Sequence, residues 1–290
     1  MPFIALVLII IAAFLHASWN FVAKKSGGTT IFAFLTALVT SILWLPVVGV
    51  IHLTTPEVGI STWSTEAWLI VTCSALIHSI YYLVLLHGYK VAPLSVVYPI
   101  ARGTGPLLSF FAAIIIFDEN LTIYSAFGVF GIACGIILLT WSKDISFLER
   151  SSLRGLGWGV LTGIAISIYT ITDAYAVKTL NMNPILFDYF GGLIRTFMLL
   201  PLVIGKGKEL RENFVVHRKS VLIISIISPL AYILVLSAIL IAPVSHVAPA
   251  RELSMLVGAF LGGKLLDEGH LQRRMCGAAL IAIGVICLVI

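Results

Sequence analysis

Charge is scarce in this sequence. Asp, Glu, Lys and Arg make up 11% of the 290 residues against 60% hydrophobic residues, and mean hydropathy is +1.09. A soluble domain needs far more polar surface to cover itself, so the composition requires an integral membrane protein with the lipid bilayer as its solvent. Strand-like alternation is missing too. The apolar runs are much longer than the strands of a membrane barrel, so the spans are helices. There is no Walker A loop, so ATP is not the direct energy source. There is no His-Glu-x-x-His sequence and no Cys/His cluster, so neither a metal nor a cofactor is expected. The four cysteines, Cys73, Cys134, Cys276 and Cys287, all fall inside apolar runs, where they read as small core residues rather than disulfide partners. No Lys or Arg precedes Lys24, so the first apolar run lacks the basic start of a signal peptide and reads as a retained helix. The net charge of +5 comes from basic residues scattered through short connections, which a membrane explains without a nucleic-acid partner.

What is present is a duplication. Ala92-Pro93-Leu94-Ser95-Val96-Val97-Tyr98-Pro99-Ile100-Ala101-Arg102 returns as Ala242-Pro243-Val244-Ser245-His246-Val247-Ala248-Pro249-Ala250-Arg251. With one gap at Ile100, seven of ten aligned positions are identical. An apolar run and an Asp-Glu pair follow each copy, and 16 residues separate Arg102 from Asp118 and Arg251 from Asp267 alike. The period is about 150 residues, so one unit is used twice.

Apolar runs predict helices over 2–22, 30–52, 66–89, 91–117 and 122–141, then 153–177, 184–204, 219–241, 244–266 and 271–290. The domain division is a first five-helix repeat over 1–143, a polar linker over 144–152 and a second repeat over 153–290. Five is odd, so the second unit enters the membrane inverted, an architecture of secondary transporters. Lys and Arg collect in the connections after helices 1, 3, 5, 7 and 9. By the positive-inside rule these are cytoplasmic, which puts both termini outside.

Ten helices, two five-helix repeats, Pro-containing fourth and ninth helices and acidic pairs before the fifth and tenth make the chain resemble the EamA-type transporters of the drug/metabolite transporter superfamily. The stretch His16-Ala17-Ser18-Trp19-Asn20-Phe21-Val22-Ala23-Lys24 is similar to that family's opening helix. The resemblance implies a substrate site surrounded by helices 3, 4, 8 and 9 with 1 and 6. It does not imply one substrate, because the family handles amino acids, sugars, nucleotide-linked compounds and drugs. Ten-helix members are often drawn with both termini cytoplasmic, the opposite of the charge count.

Charged side chains at membrane depth need a partner or a wet cavity. Arg102 and Arg251 are repeat-equivalent and lie near the middle of helices 4 and 9. Pro99 and Pro249 precede them and are expected to shape those helices, placing non-ideal backbone beside each guanidinium. A guanidinium offers planar recognition of a carboxylate or phosphate, so the pair reads as an anion site. The alternative is internal ion pairing, Arg102 with Asp173 or Arg251 with Glu252. Asp173 shares a helix face with Tyr169 and suits a proton-coupling role in a desolvated cavity, as does Glu252; Asp173 reads equally as a counter-ion. His78, Tyr81 and Tyr82 give helix 3 a polar-aromatic face, and Tyr232 aligns with Tyr82. Trp19 and Asn20 in helix 1 correspond to the neighbourhood of Asp173 in helix 6. Arg195 lies seven residues after Asp188, too far along the helix for unaided contact. Asp118-Glu119 and Asp267-Glu268 read as acids at the N-termini of helices 5 and 10. Gly128, Gly131 and Gly135, with Gly155, Gly157, Gly159 and Gly163, permit close helix contact and could serve internal packing or a homodimer.

The sequence therefore predicts a secondary transporter, not an enzyme, that moves a small polar or anionic metabolite by alternating access in a bacterial inner (plasma) membrane. Substrate binding falls to Arg102, Arg251, Tyr82, Tyr232, His78, Trp19 and Asn20. Coupling to a proton or ion falls to Asp173 or Glu252. The alternative is a non-transporting scaffold or sensor with the same fold, which predicts neutralised arginines and a closed cavity.

Overall fold

A membrane interior offers backbone groups no water, so each apolar run must satisfy its own N–H and C=O groups, which a helix does. The computed structural model describes residues 1–26, 29–92, 94–140, 150–257 and 271–289, and these hold helices and no strand. The helices are α1 (Phe3–Lys25), α2 (Thr30–Thr54), α3 (Thr65–Val91), α4 (Leu94–Phe117), α5 (Ile123–Thr140), α6 (Arg150–Lys178), α7 (Pro184–Leu199), α8 (Gly207–Ile241), α9 (Val244–Ala250) and α10 (Leu271–Val289). Seven stretches are long and apolar enough to cross a bilayer, and Ile123–Leu138 and Met275–Val289 are shorter apolar helices. Side-chain caps start several of them. Thr29 accepts the N–H of Phe32 (3.2 Å), Ser64 that of Ala67 (3.2 Å) and Asn183 that of Ile185 (2.9 Å), with Pro184 at the first helical position.

Two boundaries differ from expectation. Helix α8 begins at Gly207 rather than 219, because the polar stretch Lys208–Arg218 continues the helix beyond the apolar segment, with Lys208 and Glu212 one turn apart at 4.0 Å. The ninth helix is interrupted. It stops at Ala250, Arg251 and Glu252 form a turn, and 253–257 are helical again. Pro249 is the physical reason, since it cannot donate to the ladder. The turn is held by three-residue bonds, Glu252 N–H to Pro249 (3.0 Å) and Ser254 N–H to Arg251 (3.1 Å). By contrast α4 passes Pro99 and continues to Phe117. The remainder of the expected ninth span, the pair Asp267-Glu268, Pro93 and most of the linker over 144–152 lie outside the described residues.

The outer surface is apolar, with Ile115, Leu53 and Phe127 all largely exposed, as lipid contact requires. The interior is packed through glycine. A Cβ on Gly128 would sit 2.7 Å from the Gly284 carbonyl, and one on Gly284 would sit 2.6 Å from that of Gly128. Helices α5 and α10 therefore touch backbone to backbone. Gly155, Gly159 and Gly163 do the same for α6 against α4, where a Cβ would press on Ala92, Ile100 and Thr104. These glycines serve internal packing. Gly157 faces open space.

Glu119 corrects another expectation. It does not serve the start of α5. Its carboxylate accepts the backbone N–H groups of Val244 (2.6 Å) and Ser245 (2.8 Å) at the start of α9 and pairs with Lys178 at the end of α6 (3.2 Å). Asp118, at φ 51°, turns the chain out of α4 so that Glu119 can reach across. Lys178 also donates to the Ala242 carbonyl (3.0 Å). The same end of the bundle holds the largest buried cluster, including Ala5, Ile9, Val71, Ala176, Leu236, Ile239 and Val244. That end is closed.

Candidate functional site

The opposite end is hollow. A cavity of about 1380 Å³ is lined by the last third of α1, the first half of α2, the last halves of α3 and α7, and the first half of the membrane part of α8. Residues of α4, α6 and the region around Arg251 form its floor. Since α1, α3 and α7 end, and α2 and α8 begin, on one side of the bundle, the hollow faces the side that carries the basic connections.

All seven residues expected to bind substrate line this one cavity: Arg102, Arg251, Tyr82, Tyr232, His78, Trp19 and Asn20. They are brought together from α1, α3, α4, α8 and the α9 turn. Asp173 and Glu252, the residues expected to couple, are buried behind that wall. Each touches it through a lining residue.

Around Asp173 the contacts are dense. The Ser74 hydroxyl donates to Oδ1 (2.5 Å), the Tyr232 hydroxyl donates to Oδ2, and His78 Nε2 lies 3.0 Å from Oδ2. The His78 ring stacks on Tyr169, with centroids 4.1 Å apart. Ser74 and His78 both bond the carboxylate, so the three do not form a nucleophile–base relay, which needs the hydroxyl on the imidazole.

The arginines are not equivalent. Arg102 Nη2 sits 2.8 Å from Glu252 Oε2 and donates to Ser254 Oγ at 3.4 Å. This pairing joins α4 to the broken ninth helix and is neither of the two pairings anticipated, Arg102 with Asp173 or Arg251 with Glu252. Arg251 has no carboxylate partner among the described residues; its guanidinium lies 5.9 Å from the Tyr232 ring centroid. Arg195 does reach Asp188, at 4.0 Å, despite the seven-residue separation. Gly191 and Gly192 lie between them, and the guanidinium lies along the helix, 3.7 Å from where each Cβ would stand, an ordinary van der Waals contact.

The Trp19 indole N–H and the Arg102 Nε–H are buried donors without a partner among the described residues. Both residues line the cavity. Asn20 is satisfied within its helix by the His16 carbonyl (2.7 Å). Ser74 was not anticipated as a site residue, although it stands one turn before His78 on the same face of α3. The cavity rings Tyr89 and Tyr98 and the α2 positions Thr36 and Thr40 were not anticipated either. Nothing in their local sequence separates them from ordinary helix-wall residues.

Residues 153–290 match the family model described as the EamA-like transporter family. The chain is 24% identical over 136 residues to the Golgi GDP-fucose transporter of Drosophila melanogaster, across 41% of this chain. The match spans only 40% of that relative's length. A solved crystal structure of a protein is similar over 98% of this chain and 95% of its own, with a TM-score of 0.71 at 16% identity, a likeness of fold.

Proposed function

We propose that the chain, whose residues 153–290 match the EamA-like transporter family model, is a secondary transporter that carries a small polar or anionic metabolite by alternating access. The observation that carries this reading is Arg251, a guanidinium at membrane depth with no carboxylate partner among the described residues, on the wall of a large one-sided cavity. A buried charge is costly unless paired, so a site that leaves one open is suited to an anionic ligand. Trp19 and Arg102 add unpartnered donors, and the rings of Tyr82 and Tyr232 supply flat apolar surface.

Alternating access requires two related halves. We read 1–143 and 153–290 as inverted five-helix repeats. The pattern of helix neighbours supports that reading. Exchanging each helix for the one five places on maps α1 against α8 on to α6 against α3, and α2 against α8 on to α7 against α3. It maps α5–α10, α2–α7 and α4–α9 on to themselves. In this reading the structure is the state open to the basic side, with Glu119 and Lys178 closing the other. The basic side is cytoplasmic by the charge rule. The setting expected is a bacterial inner membrane; the fly relative is a Golgi protein. A scaffold would have its arginines neutralised and its cavity shut; Arg102 and Arg195 are paired, but the open cavity and Arg251, without a carboxylate partner among the described residues, favour transport instead.

The test is a thermal-stability screen on purified protein with amino acids, organic acids, phosphonates, sugar phosphates and nucleotide sugars, followed by flux in liposomes. A ligand that binds only the folded state raises apparent stability by mass action. The expected result is an anionic hit that is lost in Arg251→Ala. A hit that survives in Arg251→Ala, or a compound that binds but is never carried, overturns the assignment.

A further inference from the structure

Charge balance inside the cavity wall leads one step beyond an anion at Arg251, and it rests on that reading. The described interior carries three arginines, Arg102, Arg195 and Arg251, and three carboxyls, Asp173, Asp188 and Glu252. Arg102 closes on Glu252 and Arg195 on Asp188. Arg251 and Asp173 remain, and Tyr232 stands between them. Its ring lies 5.9 Å from the Arg251 guanidinium and its hydroxyl donates to Asp173. With Asp173 ionised and His78 neutral, the empty site is balanced. A monoanion bound at Arg251 leaves it one negative charge in excess, at a depth where such an excess is costly.

The wall contains a place to cancel that charge. His78 Nε2 and Asp173 Oδ2 are 3.0 Å apart, and this imidazole–carboxyl pair holds one proton more or one fewer. His78 lines the cavity whereas Asp173 has no exposed surface, so a proton from cavity water meets the imidazole first. Only N–H and O–H bonds change in the uptake, and the proton stays on the pair. Groups facing the pair come from every neighbouring helix: Tyr169 of α6, Asp188 and Arg195 of α7, Tyr232 of α8 and Arg251 beyond it. We infer that an anion binding at Arg251 brings one proton on to the Asp173–His78 pair, so that anion and proton cross together in the same direction. Glu252, held by Arg102, is not the coupling group.

The experiment uses the whole purified protein near pH 7 in weakly buffered detergent. The probes are lactate, benzoate, methanesulfonate and dimethyl phosphate, monoanions with no proton of their own to exchange near neutrality. Binding is read by thermal shift and proton uptake by a pH-sensitive dye. Wild type takes up about one proton per anion bound, and its affinity rises about tenfold for each unit of falling pH through the titration of the pair. Asp173→Asn is nearly isosteric and leaves the wall one charge more positive. It binds the anion more tightly at high pH, with no proton uptake and no pH dependence. His78→Gln, which keeps the carboxyl with Ser74 and Tyr232, shifts the pH at which uptake occurs. Wild type that binds an anion at Arg251 without taking up a proton overturns this inference and leaves the anion site standing. Failure of every probe to bind, or binding undiminished in Arg251→Ala, overturns the anion site and the inference with it.

Discussion

Arg102 and Glu252 meet at 2.8 Å across the two halves of the chain, and the residue that mirrors Glu252 in the duplication is Gly103. One arginine of the repeated pair is thus neutralised by an acid its counterpart lacks. Of the two guanidiniums at matching positions of the repeated segment, one is held by Glu252 and the other has no carboxylate partner among the described residues.

The two arginines should therefore fail differently. Arg102→Ala leaves Glu252 buried and unpaired, and is expected to lower stability by about 3–5 kcal/mol. Adding Glu252→Ala should recover part of that loss. Arg251→Ala breaks no ion pair at contact distance, so it should lower the melting temperature of the ligand-free protein less than Arg102→Ala does, and abolish the shift produced by an anion. Thermal melts of the four proteins, with and without a hit from the screen, check both expectations.

Glu119 ties the start of α9 to the end of α6 at the closed end. Glu119→Gln keeps one acceptor but loses the ion pair with Lys178, and Glu119→Ala loses the carboxyl altogether. The expected order of melting temperature is wild type, then Gln, then Ala, the last less stable by about 1–3 kcal/mol for the unsatisfied donors. If this contact holds the end shut, both variants also speed exchange between the two access states, seen as faster substrate exchange in liposomes.

Accessibility should be one-sided. In a cysteine-free background, Thr36→Cys on the cavity wall is expected to react with a membrane-impermeant thiol reagent added from the basic side only. Val177→Cys, buried at the closed end, should stay unreactive from either side until Glu119 is changed. Equal labelling of Thr36→Cys from both sides would describe a channel, and would end the alternating-access reading.

Glycines in the same helix should differ in cost. Gly128→Ala sets a methyl 2.7 Å from a backbone carbonyl that cannot rotate away, and is expected to destabilise by about 1–3 kcal/mol through overpacking. Gly131→Ala, with its nearest neighbours at 3.7 Å, should be tolerated. Parallel melts of the two variants distinguish packing against α10 from a general dislike of side chains on α5.

Much of this was legible in the sequence. Hydropathy alone fixes a multi-pass helical membrane protein, since no other structure satisfies the backbone of such long apolar runs. The duplicated Ala-Pro-x-Ser segment singles out Arg102 and Arg251, and the aromatic face of α3 singles out His78 and Tyr82.

Pairing was not legible, because a side chain's partner at membrane depth comes from whichever helix packs beside it. Arg195 reaches Asp188 along the face of α7, across seven residues. Asp173 stands with Ser74, His78 and Tyr232 because α6 lies against α3 and α8. Glu119 serves a helix 125 residues further on. The sequence by itself determined that the protein spans a membrane, which residues are too polar to face lipid, and that the segment carrying Arg102 returns around Arg251. Only the tertiary structure decided which of those charges cancel, because electrostatic neutrality in a low-dielectric interior depends on distances between helices that no local pattern records.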